Sequence, residues 1–148
     1  MCDMGKYIPS KSSWVAEQVE LYESSLGVKG TTLKDTGLPV IIVTHRGRKT
    51  GAIRKIPLMK VVDGENYILV ASMGGAPKHP GWYHNLKAQS NVEIRDKAKV
   101  YKMKVREVMG SLEKQRLWAI AVAVYPPYQE YQDKTDRNIP VFIAEANS

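Results

Sequence analysis

Cysteine is almost missing from this chain: its 148 residues hold one, Cys2. A single thiol cannot close an intramolecular disulfide, so no oxidising compartment is required. Long apolar runs are missing too. No stretch reaches the length of a signal-peptide core or a membrane span, and Cys2 lies too near the start to follow a signal peptide. The cytoplasm is therefore the expected location. Histidine is scarce, and His45, His79 and His84 match no metal-ligand spacing. With one cysteine they cannot complete a zinc site, and no metal is expected. There is no Gly-x-Ser-x-Gly elbow, no evident Cys/His pair, no pair of catalytic carboxylates, and neither the P-loop nor the dinucleotide fingerprint. A chain without nucleophile or metal points to a borrowed cofactor that the protein binds and orients.

The length suits one domain over 1–148 with a real core, and 43% hydrophobic with 25% charged residues is the balance of a soluble globular protein. The net charge of +7 favours a polyanionic partner: nucleic acid, an anionic membrane surface or a phosphorylated cofactor. Excess lysine serving solubility alone is the plain alternative. Nucleic acid is the weakest of these, because the cations gather on a compact loop and not on a stripe interleaved with aromatics.

Residues 1–12 are polar and expected to be a flexible terminus, frayed or draped over the surface. Ser13 can cap a helix in which Val15, Val19, Tyr22 and Leu26 recur at near-helical spacing, with Gly27 as its stop. Residues 28–38 read as a loop. Strands are expected over 39–45, 52–62, 67–72, 91–95, 99–108 and 139–144. Pro57 marks an edge or a bulge, and Asp63-Gly64 and Asp96-Lys97 mark hairpin turns. Tyr101, Met103 and Val105 alternate with Lys102, Lys104 and Arg106, the pattern of a half-buried antiparallel strand. Residues 74–81 hold three glycines and two prolines and look irregular. Helices are expected over 82–89, through Trp118, Ala121, Val122 and Tyr125 up to Pro126-Pro127, and over 128–134. About six antiparallel strands with flanking helices give an α+β fold, with the sheet curled into a small barrel.

Three segments could carry chemistry. Arg46, Arg48, Lys49, Arg54 and Lys55 lie within ten residues around Gly47 and Gly51, and strand pairing of 39–45 with 52–62 would collect them at one hairpin end. A phosphate there would meet Arg48, Lys49 and the Thr50 hydroxyl, although a solvated basic hairpin tip has the same sequence. Pro80-Gly81-Trp82-Tyr83-His84-Asn85-Leu86 brings a glycine-rich loop into a helix start, which suits an anion, with flat faces beside it. The alternative is that Trp82 and Leu86 dock the helix on the barrel. Tyr125, Tyr128 and Tyr131 recur every three residues. They either line an aromatic pocket or pack as an ordinary amphipathic turn.

Taken together, these segments resemble the deazaflavin-dependent nitroreductase family, split-β-barrel oxidoreductases that use coenzyme F420. The matching runs are Gly47-Arg48-Lys49-Thr50-Gly51, Arg54, Pro57-Leu58, Ala71-Ser72, Gly74-Gly75-Ala76, Pro80, Trp82-Tyr83 and Asn85-Leu86-Lys87-Ala88. Then come Tyr125-Pro126, Tyr128-Gln129, Tyr131-Gln132, Thr135-Asp136-Arg137 and Ile139-Pro140. Their order and spacing span roughly 38–142. The resemblance implies that Arg48, Lys49, Thr50 and Arg54 hold the cofactor's phosphate and oligoglutamate tail. Lys55, Ile56, Pro57, Leu58 and Met59 continue that contact along the strand. It places Ala71, Ser72, Met73 and Gly74 beside the ring and phosphate, and Gly81, Trp82, Tyr83 and Asn85 against the cofactor. Tyr125, Tyr128 and Tyr131 fall on the substrate side as catalytic candidates. The implied activity is hydride transfer from reduced F420 to an electron-poor acceptor: a quinone, an activated enone or a nitroaromatic. An FMN-binding barrel and a non-catalytic deazaflavin carrier are the alternatives. Met59 and Met73 stand where relatives active on bicyclic nitroimidazole prodrugs carry Tyr and Lys, which argues against that substrate class. The expected state is a monomer or homodimer. A weak membrane contact through the 14–26 helix remains an alternative, because its apolar face could meet a bilayer.

Overall fold

The computed structural model describes residues 6–33 and 36–146. Cys2 and the first five residues of the expected flexible terminus lie outside that range. In chain order the elements are α1 (Ser13–Ser24), β1 (Val40–Arg46), β2 (Ile53–Met59), β3 (Val62–Asp63) and β4 (Asn66–Val70). After a 3₁₀ turn at Met73–Gly75 follow α2 (Gly81–Ala88), β5 (Asn91–Asp96), β6 (Lys99–Glu107), α3 (Ser111–Val124), α4 (Pro127–Asp133) and β7 (Val141–Ala146). The strands form one antiparallel sheet in the order β2-β1-β5-β6-β7-β4-β3, curled into a split barrel.

The sheet has seven strands where the sequence points to six. The expected 52–62 strand breaks after Met59 and resumes as the two-residue β3, which turns through Gly64 into β4. Pro57, opposite Ile42, sits on edge strand β2, where its missing N–H breaks no internal ladder. The stretch 74–81 is not wholly irregular, because the 3₁₀ turn occupies its start.

Alternation sorts the strands onto two cores. Val40, Ile42, Ile68, Val70, Val141 and Ile143 face a cluster closed by Val19 and Tyr22 of α1, Leu117 and Ala121 of α3 and Tyr128 of α4. Ile41, Val43, Leu69, Phe142, Ala144, Ile94 and Val105 face the other, closed by Trp82 and Leu86 of α2. Side chains at i and i+2 share a sheet face, which is why one strand feeds both cores.

Helix α1 buries Val15, Val19 and Tyr22 against the sheet, each worth about 1.5–3 kcal/mol. The face considered for a membrane is thus already covered, leaving Trp14 and Leu21 outside. Leu26 lies beyond the helix end, exposed and at φ 55°, and does not continue the stripe. Tyr101 also departs from its expected alternation: it is exposed, while Met103 and Val105 are buried. The 99–101 end of β6 reaches past the core as part of the β5–β6 hairpin tip. Residues 6–8 are not frayed. Tyr7 bridges Ile53 in parallel, with Ile8 N–H to Ile53 O at 3.0 Å and Ile53 N–H to Lys6 O at 2.8 Å.

Candidate active site

The β1–β2 hairpin brings its cations to one end. Arg46 pairs with Ile53, and the six-residue loop between them closes with Gly47 N–H to Ala52 O and Gly51 N–H to Gly47 O, both 2.8 Å. The Thr50 hydroxyl accepts from Ala52 N–H at 3.2 Å, which fixes the loop tip. The loop faces the start of α2. Asn85 joins the two: its Oδ1 accepts from Arg48 N–H and from Arg48 Nη1, both at 3.1 Å. Its Nδ2 meets His45 Nδ1 at 3.3 Å. Since Asn85 Nδ2 can only donate, His45 Nδ1 accepts and the imidazole is neutral with its proton on Nε2. Burial, and then the charge of Arg54, push the His45 pKa down from 6.5 to about 4, which keeps this relay neutral near pH 7.

Between loop, strand and helix lies a cleft of about 410 Å³. Its wall holds Arg48, Lys49, Thr50, Arg54, Lys55, Ile56, Gly81, Trp82 and Asn85 from the sequence reading. It also holds Ile8, Ser10, Lys11, His45 and Gly47, which that reading did not assign to the cofactor site. Among the described residues the lining therefore carries five Lys/Arg cations (Lys11, Arg48, Lys49, Arg54 and Lys55) and no carboxylate. Some of these cations are already engaged: Lys55 pairs with Glu23 and lies over the Tyr7 ring, and Arg54 Nη1 reaches Ile8 O at 3.5 Å. Trp82 serves both roles weighed for it. It packs near Phe142 at 6.1 Å between ring centroids, and it also borders the cleft. A basic cleft with an indole and aliphatic side chains on its wall has the charge and shape to suit an elongated, multiply anionic molecule that carries a flat ring.

Pro57, Leu58, Met59, Ala71, Ser72, Met73, Gly74 and Tyr83 do not line this cleft. Met59 and Ala71 are buried in the two cores, and the Ala71 backbone is already bonded, its N–H donating to Pro140 O and its carbonyl accepting from Arg137 Nη1, so neither residue is open to a ligand here. Ser72, Met73 and Gly74 form a second structure around the 3₁₀ turn. Met73, Gly74 and Gly75 all have positive φ, at 46°, 63° and 79°. Gly75 is required: a Cβ there would lie 2.7 Å from Tyr131 O and 2.6 Å from Lys134 Cε. The turn thus sits directly on α4, and the three tyrosines follow from it. Tyr125 and Tyr131 hydroxyls are 3.2 Å apart, and the Tyr128 ring meets the Tyr125 ring edge-on at 5.0 Å. The bond to Tyr131, then burial, raise the Tyr125 pKa to about 12. Burial raises that of Tyr128 further. Tyr125 and Tyr128 are thus neutral phenols that can donate a hydrogen bond. Tyr128 is 5% exposed and belongs to the core as much as to any pocket.

Several site residues escape sequence reasoning. Residues 8–11 look like a polar terminus, and only the Tyr7-Ile8 pair hints at docking. His45 was legible in principle, since it shares the strand face of Ile41 and Val43 and so points to α2. Arg137 falls in the Thr135-Asp136-Arg137 run, but nothing in its spacing announces that it reaches the 71–76 segment.

Comparison with known proteins shows the family. The family model of F420H(2)-dependent quinone reductase matches residues 14–146. An F420H(2)-dependent quinone reductase of Mycobacterium tuberculosis is 39% identical over 110 residues, covering 72% of this chain and 74% of that protein. Among solved structures, an F420-H2 dependent reductase, FDR-A, is 47% identical with a TM-score of 0.68, covering 77% of this chain and 97% of the other. Another, described as a domain-swapped dimer, is 44% identical with a TM-score of 0.71, covering 92% and 100%. With its split barrel, its basic cleft and this similarity over nearly its whole length, the chain belongs to the F420H(2)-dependent quinone reductase family.

Proposed function

We propose that this F420-dependent reductase passes a hydride to a quinone-class acceptor, and that activated enones and nitroaromatics are reduced by the same site. The observation that carries the cofactor half is the cleft wall, five cations without one carboxylate among the described residues, which fits a phosphate and an oligoglutamate tail. Arg48, fixed by Asn85, and Lys49 hold the phosphate, with the Thr50 hydroxyl beside them. Arg54, Lys55 and Lys11 receive the acidic tail. In this reading Trp82 and Ile56 give the ring an apolar wall, and the Ala71–Gly74 segment lies beside the ring where the resemblance implies it.

When bound, reduced F420 supplies a hydride from ring C5. The protein contributes placement, because bringing two reactants into register removes much of the entropic barrier. Tyr125, Tyr128 and Tyr131 lie on the acceptor side in this reading. Hydride addition to a quinone carbonyl system leaves an oxyanion, and a neutral phenol donating to it lowers the barrier before solvent delivers the proton. Tyr125 and Tyr131 are the candidate donors, since Tyr128 is largely buried and, of the two hydroxyls in contact, the one that accepts keeps its own O–H free for the acceptor. Met73, exposed on the strained turn, offers a thioether where a lysine would offer charge, so bicyclic nitroimidazoles should be poor substrates.

Titration of the protein with oxidised F420, and in parallel with FMN, followed by tryptophan quenching, tests the cofactor. The reading expects tight F420 binding that weakens at least tenfold in the Arg48→Ala/Lys49→Ala double variant. Tight FMN binding without a deazaflavin response would keep the barrel and overturn the function. Steady-state reduction of a naphthoquinone with F420H2 tests the acceptor. Tyr131→Phe should lower kcat roughly 10- to 100-fold with little change in F420 affinity. Unchanged turnover would remove the phenol from the mechanism.

The likeness to a domain-swapped dimer favours a homodimer, which sedimentation velocity checks directly. No helix among the described residues is long and apolar enough to cross a membrane. A peripheral contact would have to use Trp14 and Leu21, and failure to pellet with anionic liposomes at low salt would eliminate it.

A further inference from the structure

We propose that Arg137 is a positioning residue that sets the Ser72–Ala76 turn and thereby the seat of the deazaflavin ring. The inference rests on the reading, given above, that the ring lies beside this turn.

Arg137 follows α4 and turns its side chain to the 71–76 segment, more than sixty positions earlier in the chain. All three guanidinium nitrogens are used. Nε donates to Ala76 O at 2.7 Å, Nη2 to Ser72 O at 2.6 Å and Nη1 to Ala71 O at 3.1 Å, and Nη1 also meets His79 Nδ1 at 3.0 Å. These acceptors belong to the start, the end and the flank of one turn, so a single planar fork specifies its width.

The turn needs such a brace. Its middle is three successive residues at positive φ, and Met73 is not a glycine. A residue with a Cβ in that region is strained by about 1 kcal/mol or more and persists only where its surroundings fix it. Gly75 backs onto Tyr131 O on the other side. The turn is therefore held between the α4 backbone and the Arg137 fork, and α4 carries the three tyrosines. Among the described residues no carboxylate pairs with Arg137. Arg106 and Arg116, by contrast, pair with Glu113 and Asp63. Its acceptors here are backbone oxygens and a neutral imidazole. Burial of the guanidinium lowers its pKa without threatening its charge.

The experiment compares two ligands across four proteins. Oxidised F420 and the phosphate-free 8-hydroxy-5-deazariboflavin are titrated against the full-length wild type, Arg137→Ala and Arg137→Lys, with thermal midpoints recorded alongside. Arg48→Ala serves as the reference for loss at the phosphate. The expected result is at least tenfold weaker binding of both ligands to Arg137→Ala, partial recovery in Arg137→Lys, and further recovery of Arg137→Ala by low-millimolar ethylguanidinium. Arg48→Ala should weaken F420 alone. Wild-type affinity of Arg137→Ala for both ligands would overturn the inference. So would a loss confined to F420, since Arg137 would then act on the phosphate or tail as a plain charge. Should Arg137→Ala not fold, Arg137→Lys decides: it keeps the charge and loses the fork, and wild-type ring affinity there would overturn the inference as well. If the wild type binds neither ligand, the cofactor reading itself has failed, and that outcome is distinct from all of these.

Discussion

Two residues show how much a single side chain does in the cleft. His45 is 4% exposed and held neutral. Its pKa is about 4 in the folded chain against 6.5 when unfolded, so between those values the unfolded state binds more protons. Stability is intact above about pH 6.5 and falls as pH drops toward 4, by about 3 kcal/mol over the window at roughly 1.4 kcal/mol per pKa unit. Urea midpoints measured across that range should show the decline, and His45→Gln, which keeps an acceptor for Asn85, should flatten it. Asn85 is the second case. Asn85→Leu leaves Arg48 N–H and His45 without their partner, at a cost of about 1–3 kcal/mol, and frees the basic loop. Chemical denaturation should show the loss, and F420 affinity should fall several-fold. If affinity held while stability fell, Asn85 would be a structural residue only.

The elements divide into those a sequence reveals and those it hides. The sequence shows β5, β6 and the tyrosine-bearing α4 well, because turn residues bracket them and their spacing is local. It shows β1 only as a continuous apolar run, since Val40 to Val43 are covered alternately by α1 and α2 on opposite faces. The break between β2 and β3 has no local marker strong enough to override the strand pattern of 52–62. Helix α1 is legible as amphipathic, but which surface its face meets is a tertiary matter, decided here by the Tyr22 hydroxyl. That group donates to Val40 O at 3.1 Å and accepts from Lys97 N–H at 2.7 Å. Gly27→Ala should destabilise the fold severely, because a Cβ there would fall 2.0 Å from the Lys97 carbonyl carbon, and thermal melts would show it. The 6–11 segment was the least legible, since its order comes from Ile53 and not from its own residues. Deleting residues 1–11 removes Ile8 and Lys11 from the cleft wall. Calorimetry should find F420 binding weakened several-fold, with the FMN response altered less.

At the scale of the whole molecule, the net charge of +7 has a place in the structure. The cations that the composition offered to nucleic acid, membrane or cofactor converge in part on one cleft. Their joint field should draw a polyanionic ligand faster than any one contact would. Exposed charges more than about 10 Å apart are screened at 0.1 M salt. Raising salt from about 0.05 to 0.5 M should therefore weaken F420 binding roughly tenfold and FMN binding less, in the same quenching titration. An equal salt response for both ligands would mean that the acidic tail is not held by the cleft.

The parallel bridge between Tyr7 and Ile53 has a consequence for assembly. Strand β2 ends the sheet, and an uncapped sheet edge is a template for another chain. Pro57 removes one donor from that edge, and Lys6 to Ile8 occupy its first rungs. The terminus therefore competes with any foreign strand for the same rungs. Its departure would convert a closed particle into one that polymerises or exchanges strands with its own copies.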